Sequence, residues 1–129
     1  METHMQPRAL ILFAHGARDP RWAAPFKKLQ QITQQAQPDI TVCNAYLEFI
    51  QPDLPAAVAQ LMQAQCCDIT IVPVFLGQGG HVLRDLPLLM AGLREQYPDL
   101  QLKQVDAVGE DASVLQAMAQ YCLSAMKQV

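Results

Sequence analysis

Several things are scarce in this chain, and each scarcity removes a class of function. No apolar run reaches the roughly 18 residues that a membrane-spanning helix needs. The opening Met1-Glu2-Thr3-His4-Met5-Gln6-Pro7 lacks the apolar centre of a signal peptide. The expectation is therefore a cytoplasmic protein, with residues 1–7 as a flexible N-terminus and His4 as a frayed-end residue rather than a ligand. Only 16% of the 129 residues are charged, and the net charge is -3, so the electrostatic footprint of a nucleic-acid binder is missing. The cysteines are Cys43, Cys66, Cys67 and Cys122, with no Cys-x-x-Cys pair among them. Adjacent Cys66 and Cys67 suit one tetrahedral ion poorly, and reduced, mostly buried thiols are expected instead.

What is present is apolar residue: 51% of the chain, enough for one domain with a real core, placed at 8–129. The pattern alternates strand and helix four times. Arg8–Ala14 is a nearly unbroken apolar run, the mark of a strand buried on both faces. Asp19-Pro20 then offers a helix cap with proline at the first position, and Trp22, Phe26, Leu29 and Ile32 follow at helical spacing. The second strand is read at 40–46 and the next cap at Asp53, with Leu54, Val58, Leu61 and Met62 as an inner helix face. The third strand, 68–75, is rich in β-branched residues, and Pro73 within it predicts a bulge near its end. A third helix is expected from 81 or 85 to 97, Pro87 implying either a late start capped by Asp85 or a kink. A short strand at 100–105 and a helix over 111–127 close the chain, with Val114, Leu115, Met118, Cys122 and Met126 facing inward. Such alternation predicts a single-domain α/β three-layer sandwich around a four-stranded parallel sheet.

His15 and His81 carry the functional signal. His15 follows the first strand directly, and His81 follows the third through Gly77-Gln78-Gly79-Gly80; Glu48 lies just past the second. Ligands in open parallel sheets bind beyond the carboxyl ends of the strands, and with strand order 2-1-3-4 the two histidines flank the switch point between strands one and three. One histidine behind a strand is commonly a hydrogen-bonded structural residue. Two of the chain's three histidines there, with Glu48 at a third strand end, form a pattern that packing does not require. Neutral imidazole binds first-row divalent ions and can release them, and a helix start behind each ring opposes imidazolium formation. A carboxylate beside them can complete a metal site or accept a proton. Arg18, Arg21 and Arg84 are near in sequence and suit carboxylates, though a solvated helix face explains each equally well. The N–H groups around Gly77, Gly79 and Gly80 could receive anions, but Gly-Gln-Gly-Gly-His fits neither nucleotide fingerprint. Trp22, Phe26 and Phe75 read as core, as do Tyr46 and Phe49, although the last two bracket Glu48.

The segments His15-Gly16-Ala17-Arg18-Asp19-Pro20-Arg21, Tyr46-Leu47-Glu48-Phe49 and Gly77-Gln78-Gly79-Gly80-His81-Val82-Leu83-Arg84-Asp85-Leu86-Pro87 together resemble the small CbiX/SirB group of class II tetrapyrrole chelatases. The resemblance spans almost the whole chain in order. It implies insertion of Co(II), Fe(II) or Ni(II) into sirohydrochlorin or a related tetrapyrrole, for cofactors of the cobalamin or sirohaem type. It further implies a chelatase-like half-unit working as a homodimer. The metal would be a co-substrate, with no permanently bound cofactor. Positions matching His15, Glu48 and His81 are the family's metal and catalytic residues: His15 and His81 for the ion, Glu48 assisting. Arg18, Arg84, Gly79 and Gly80 would then meet substrate carboxylates. Ala17 departs from a serine common in relatives, which bears on a supporting hydrogen bond rather than on a ligand. A metal or tetrapyrrole carrier without turnover is the main rival; a flavodoxin-like phosphate module is the lesser one.

Overall fold

The computed structural model describes residues 6–77 and 79–127, the side chains of 81 and 83 excepted. Four strands, β1 (Arg8–Ala14), β2 (Thr41–Tyr46), β3 (Asp68–Pro73) and β4 (Gln101–Gln104), form one all-parallel sheet in the order β2-β1-β3-β4. Between and after them come α1 (Ala24–Ala36), α2 (Leu54–Gln63), α3 (Gly80–Gln96) and α4 (Ala112–Ala125), with 3-10 turns at Pro20–Ala23 and Val108–Glu110.

One sheet face is a dry core. Ala9, Ile11 and Phe13 of β1 and Ile69 and Ile71 of β3 pack there against Leu54, Ala57, Val58 and Leu61 of α2 and Val82, Leu86, Met90 and Leu93 of α3. The helical sets recur at three and four residues, as one buried stripe requires. Asp53 caps α2 by accepting from the Ala56 N–H at 2.9 Å. On the opposite face α1 lies along the edge strand. Gln30 donates to the Val42 carbonyl at 2.8 Å, and Gln34 accepts from the Val42 N–H at 2.9 Å, which satisfies the edge that β2 would otherwise expose. Trp22 and Phe26 pack on Ala14, Ala23 and Tyr46, while Leu29 and Ile32 of the same stripe stay exposed.

Two expectations are corrected, and the choice left open for the start of the third helix is decided for the earlier position. Pro73 produces no bulge: pairing runs in register from Arg8 opposite Asp68 to Phe13 opposite Pro73. Val74 N–H donates to Phe13, so the proline nitrogen faces β4 and the ladder to that strand ends there, its last bond running from Val105 N–H to the Ile71 carbonyl at 3.1 Å. The third helix starts at Gly80, not Asp85, and runs through Pro87. The inward face predicted for α4 does not exist within the chain: Leu115, Met118 and Met126 are exposed, as is Cys122, and only Val114 is half-buried. No described helix is long and apolar enough to cross a membrane.

Candidate active site

At the carboxyl edge of the sheet the exit segments of β1 and β2 stay zipped beyond the strands themselves. Leu47 N–H donates to the Ala14 carbonyl at 2.9 Å, and Glu48 N–H to the His15 carbonyl at 3.1 Å. This brings two of the candidate side chains together: His15 Nε2 stands 3.8 Å from Glu48 Oε1, with about 40% of each side chain open to solvent (41% and 38%). Two ligands at about 2.1 Å from a tetrahedral ion stand about 3.4 Å apart, so this pair needs little movement to share one. His15 Nδ1 lies 3.2 Å from the Gly16 carbonyl, within reach to fix the ring through its other nitrogen.

Gly16 is what allows the approach, and sequence reading missed it. Its φ is +96°, and a Cβ there would sit 1.8 Å from the Glu48 carbonyl oxygen. The glycines singled out from sequence, Gly77, Gly79 and Gly80, have open space around them, and the positive-φ glycine among the described residues is Gly16. Their missing side chains leave room beyond the β3–α3 connection rather than relieving strain. Gly79 is the backbone cap of α3, without a side-chain cap, and Gly80 is its first residue. A second unforeseen contact is at Gly109, where a Cβ would meet the Leu76 carbonyl oxygen at 2.0 Å; Gly109 N–H also donates to Phe75 at 2.8 Å. The turn before α4 is thereby pinned to the exit of β3.

His81 is the second residue of α3, in the turn where the backbone N–H groups give the helix its positive end; its side chain lies outside the described residues, as does Gln78. The dipole argument does not extend to His15, because the next helical segment starts only at Pro20 and is a four-residue 3-10 turn. Arg18 stacks over the Phe49 ring at 4.9 Å. Phe49 itself is 56% exposed at φ +71°, so the expectation of a core residue fails there, whereas Tyr46 is buried. Arg21 is committed to Asp19, its carboxylate held below the usual range by that guanidinium. Arg84, exposed on the first turns of α3, donates through Nε to Gly80 at 3.2 Å. Among the described residues no three His, Cys, Asp or Glu side chains converge as a closed metal site. An open imidazole–carboxylate pair suits an ion that must leave again.

Parallel order 2-1-3-4 with an imidazole and a carboxylate at the strand exits defines a chelatase-like α/β fold. The CbiX family model matches residues 9–125, and the chain belongs to the CbiX family. The chain is 32% identical to the sirohydrochlorin cobaltochelatase of Methanocaldococcus jannaschii across 69% of this chain and 62% of that protein. It is 30% identical to the one from Methanopyrus kandleri across 70% and 63%. The matches thus span less than two thirds of these relatives. A CbiX protein of Marinobacter aquaeolei VT8 superimposes with a TM-score of 0.85 at 25% identity, covering 95% of this chain and all of the other. The sirohydrochlorin chelatase SirB from Bacillus subtilis subspecies spizizenii, in complex with cobalt, shares the fold: TM-score 0.73, 20% identity, 92% of this chain and 50% of that one.

Proposed function

We propose that the protein is a cytoplasmic, homodimeric chelatase that inserts Co(II), Fe(II) or Ni(II) into sirohydrochlorin or a close relative. The observation that carries this is the His15–Glu48 pair, 3.8 Å apart at the carboxyl edge of a CbiX-family sheet. The relatives named above as sirohydrochlorin cobaltochelatases, and the SirB crystal that holds cobalt, support the substrate and the ion.

In this reading His15 and His81 hold the incoming ion loosely through ring nitrogens, and Glu48 completes its coordination or takes up a proton. Metal entry displaces two pyrrole N–H protons, so the site needs an acceptor within reach of the macrocycle; a partly solvated carboxylate passes protons on to water. In the same reading Arg18, stacked on Phe49, and Arg84, in the first turns of α3, meet the substrate's carboxylates together with the N–H groups of Gly79 and Gly80. The ion is consumed with each turnover and is a substrate, not a resident cofactor.

Mixing purified protein with sirohydrochlorin and Co(II), and following the tetrapyrrole spectrum, tests this. The expected result is metallation well above the buffer rate, reduced about 100-fold or more in His15→Ala and in Glu48→Gln. Tight binding of ion and tetrapyrrole without acceleration would instead establish the carrier.

A further inference from the structure

His15 and His81 meet different main-chain surroundings. His15 leaves a strand, and its Nδ1 lies 3.2 Å from the Gly16 carbonyl, so Nε2 is the nitrogen turned to Glu48. His81 is the second residue of α3. At a helix start the unengaged main-chain groups are N–H donors, and the carbonyls point away down the axis toward their own donors. The helix itself therefore offers a ring N–H no acceptor. An imidazole placed there needs a side-chain acceptor if its other nitrogen is to be kept for an ion.

Asp85 is the only acidic residue between Asp68 and Glu95. It stands four positions after His81 on α3, the spacing at which helical side chains are neighbours. Helical side chains lean toward the N-terminus, so a residue at 85 covers the turn that begins at 81. The ordinary duties of a helical carboxylate do not account for it. As the sixth residue of α3 it lies beyond the first turn, where carboxylates serve the free N–H groups. Adjacent helical residues do not face each other, and Arg84 donates through Nε to the Gly80 carbonyl.

The face of α3 that carries Asp85 is turned toward the His15–Glu48 pair. Asp85 is half-buried and shares a hollow of about 340 Å³ with Leu88 and Leu89 of α3 and with Leu47 of the β2 exit. Leu47 directly precedes Glu48, and their N–H groups bond the carbonyls of Ala14 and His15. Positions 81, 85 and 88 follow at four and three residues, so 81 belongs to this stripe, one turn nearer the helix start. A carboxylate set among leucines is costly unless it accepts hydrogen bonds.

We infer that Asp85 is the positioning residue of His81: its carboxylate accepts from the ring's Nδ1–H and leaves Nε2 for the ion. The short reach of aspartate selects the ring nitrogen nearer the backbone. Both histidines then present Nε2, His15 with the help of a main-chain carbonyl and His81 with that of a carboxylate. Asp85 acts on the ion only through the ring. This deepens the chelatase reading and rests on it for the ion that His81 holds, but its test uses no tetrapyrrole.

Long-range ¹H–¹⁵N spectra of the metal-free full chain at pH 8, above the ordinary imidazole range, report which ring nitrogen carries the proton. His81→Gln identifies the signals. The expected result is a proton on Nδ1 of His81 in the wild type, retained in Asp85→Asn, whose amide oxygen still accepts. In Asp85→Ala it moves to Nε2, the tautomer that an unconstrained histidine favours. Co(II) affinity, measured by competition with a chromogenic chelator, is expected to fall about 10- to 100-fold in Asp85→Ala and less in Asp85→Asn. A merely structural carboxylate would lower the melting temperature on removal and leave the tautomer where it was. The proposal is overturned by a wild-type His81 protonated on Nε2, by one tautomer shared between wild type and Asp85→Ala, or by a Co(II) affinity that Asp85→Ala leaves unchanged. Failure to metallate sirohydrochlorin would remove the chelatase reading and leave these results standing.

Discussion

At the scale of single residues the account turns on Gly16. The imidazole–carboxylate pair exists because two exit segments pass closer than a Cβ permits, and Gly16→Ala forces them apart. The backbone strain alone is worth roughly 1–3 kcal/mol, and the added methyl meets a carbonyl rather than a yielding side chain. Urea unfolding should show a loss of about 2 kcal/mol or more, and metallation should fall with it as the 3.8 Å pair opens. Wild-type stability and rate in this variant would remove Gly16 from the account. A histidine–glycine step directly behind a strand was the available sequence signal. It was overshadowed by the three glycines near His81, because counting glycines marks a permissive loop but not the one position where permission is needed. Phe49 was misplaced for a related reason: aromatic character predicts burial on average, and only the left-handed backbone at 49 turns this ring outward. Cys43 gives a pH-dependent check on the core. Burial, with Cys66 close by, pushes its thiol up to about 11. Iodoacetamide should leave Cys43 unlabelled in the folded protein near pH 8, with labelling rising only as the pH approaches 11. Fast labelling at pH 8 would contradict the packing around it.

Strands and helices were legible where a single physical signal governs them. Arg8–Ala14 is bounded correctly because a short, nearly unbroken apolar run reads as a buried strand, although on the α1 side the cover reaches Leu12 and leaves Leu10 half-exposed. Asp53 and Asp111 mark their helices because a carboxylate there satisfies N–H groups that nothing else in the helix can. Asp53→Ala should cost about 1 kcal/mol in thermal or urea unfolding; no change would show that water serves the Ala56 N–H equally well. The hydroxyl of Ser113 and the N–H groups of Val114 and Ser113 hold the Asp111 carboxyl below its usual range. A lowered folded value contributes stability above the ordinary carboxyl range and loses it as pH falls through the lowered value. Amide exchange at Ser113 and Val114 should therefore be faster in Asp111→Ala than in wild type at pH 7, with the difference shrinking in acid. What periodicity could not tell is which surface an apolar face meets. The stripe on α4 was visible in the sequence, and its assignment inward assumed that a chain covers its own helices. Pro73 misled differently, since a proline at the end of a strand can stop the ladder on one side while the register on the other runs through it unbroken, here from Arg8 opposite Asp68 to Phe13 opposite Pro73.

For the molecule as a whole, the fold and the meeting of His15 with Glu48 were legible together, because a parallel α/β sheet delivers every strand exit to one edge. Topology then decides which exits adjoin: β1 lies between β2 and β3, so His15 neighbours both the Glu48 segment and the connection leading to His81. The roles of those three side chains toward an ion are the central claim, and cobalt itself can report on it. Crystals soaked in Co(II) and measured across the cobalt absorption edge should show one anomalous peak within about 2.3 Å of a His15 ring nitrogen. Glu48 and His81 should reach the same ion, and the peak should vanish in His15→Ala. An anomalous peak seated on the cysteines or on α4, with none beside His15, would contradict the account.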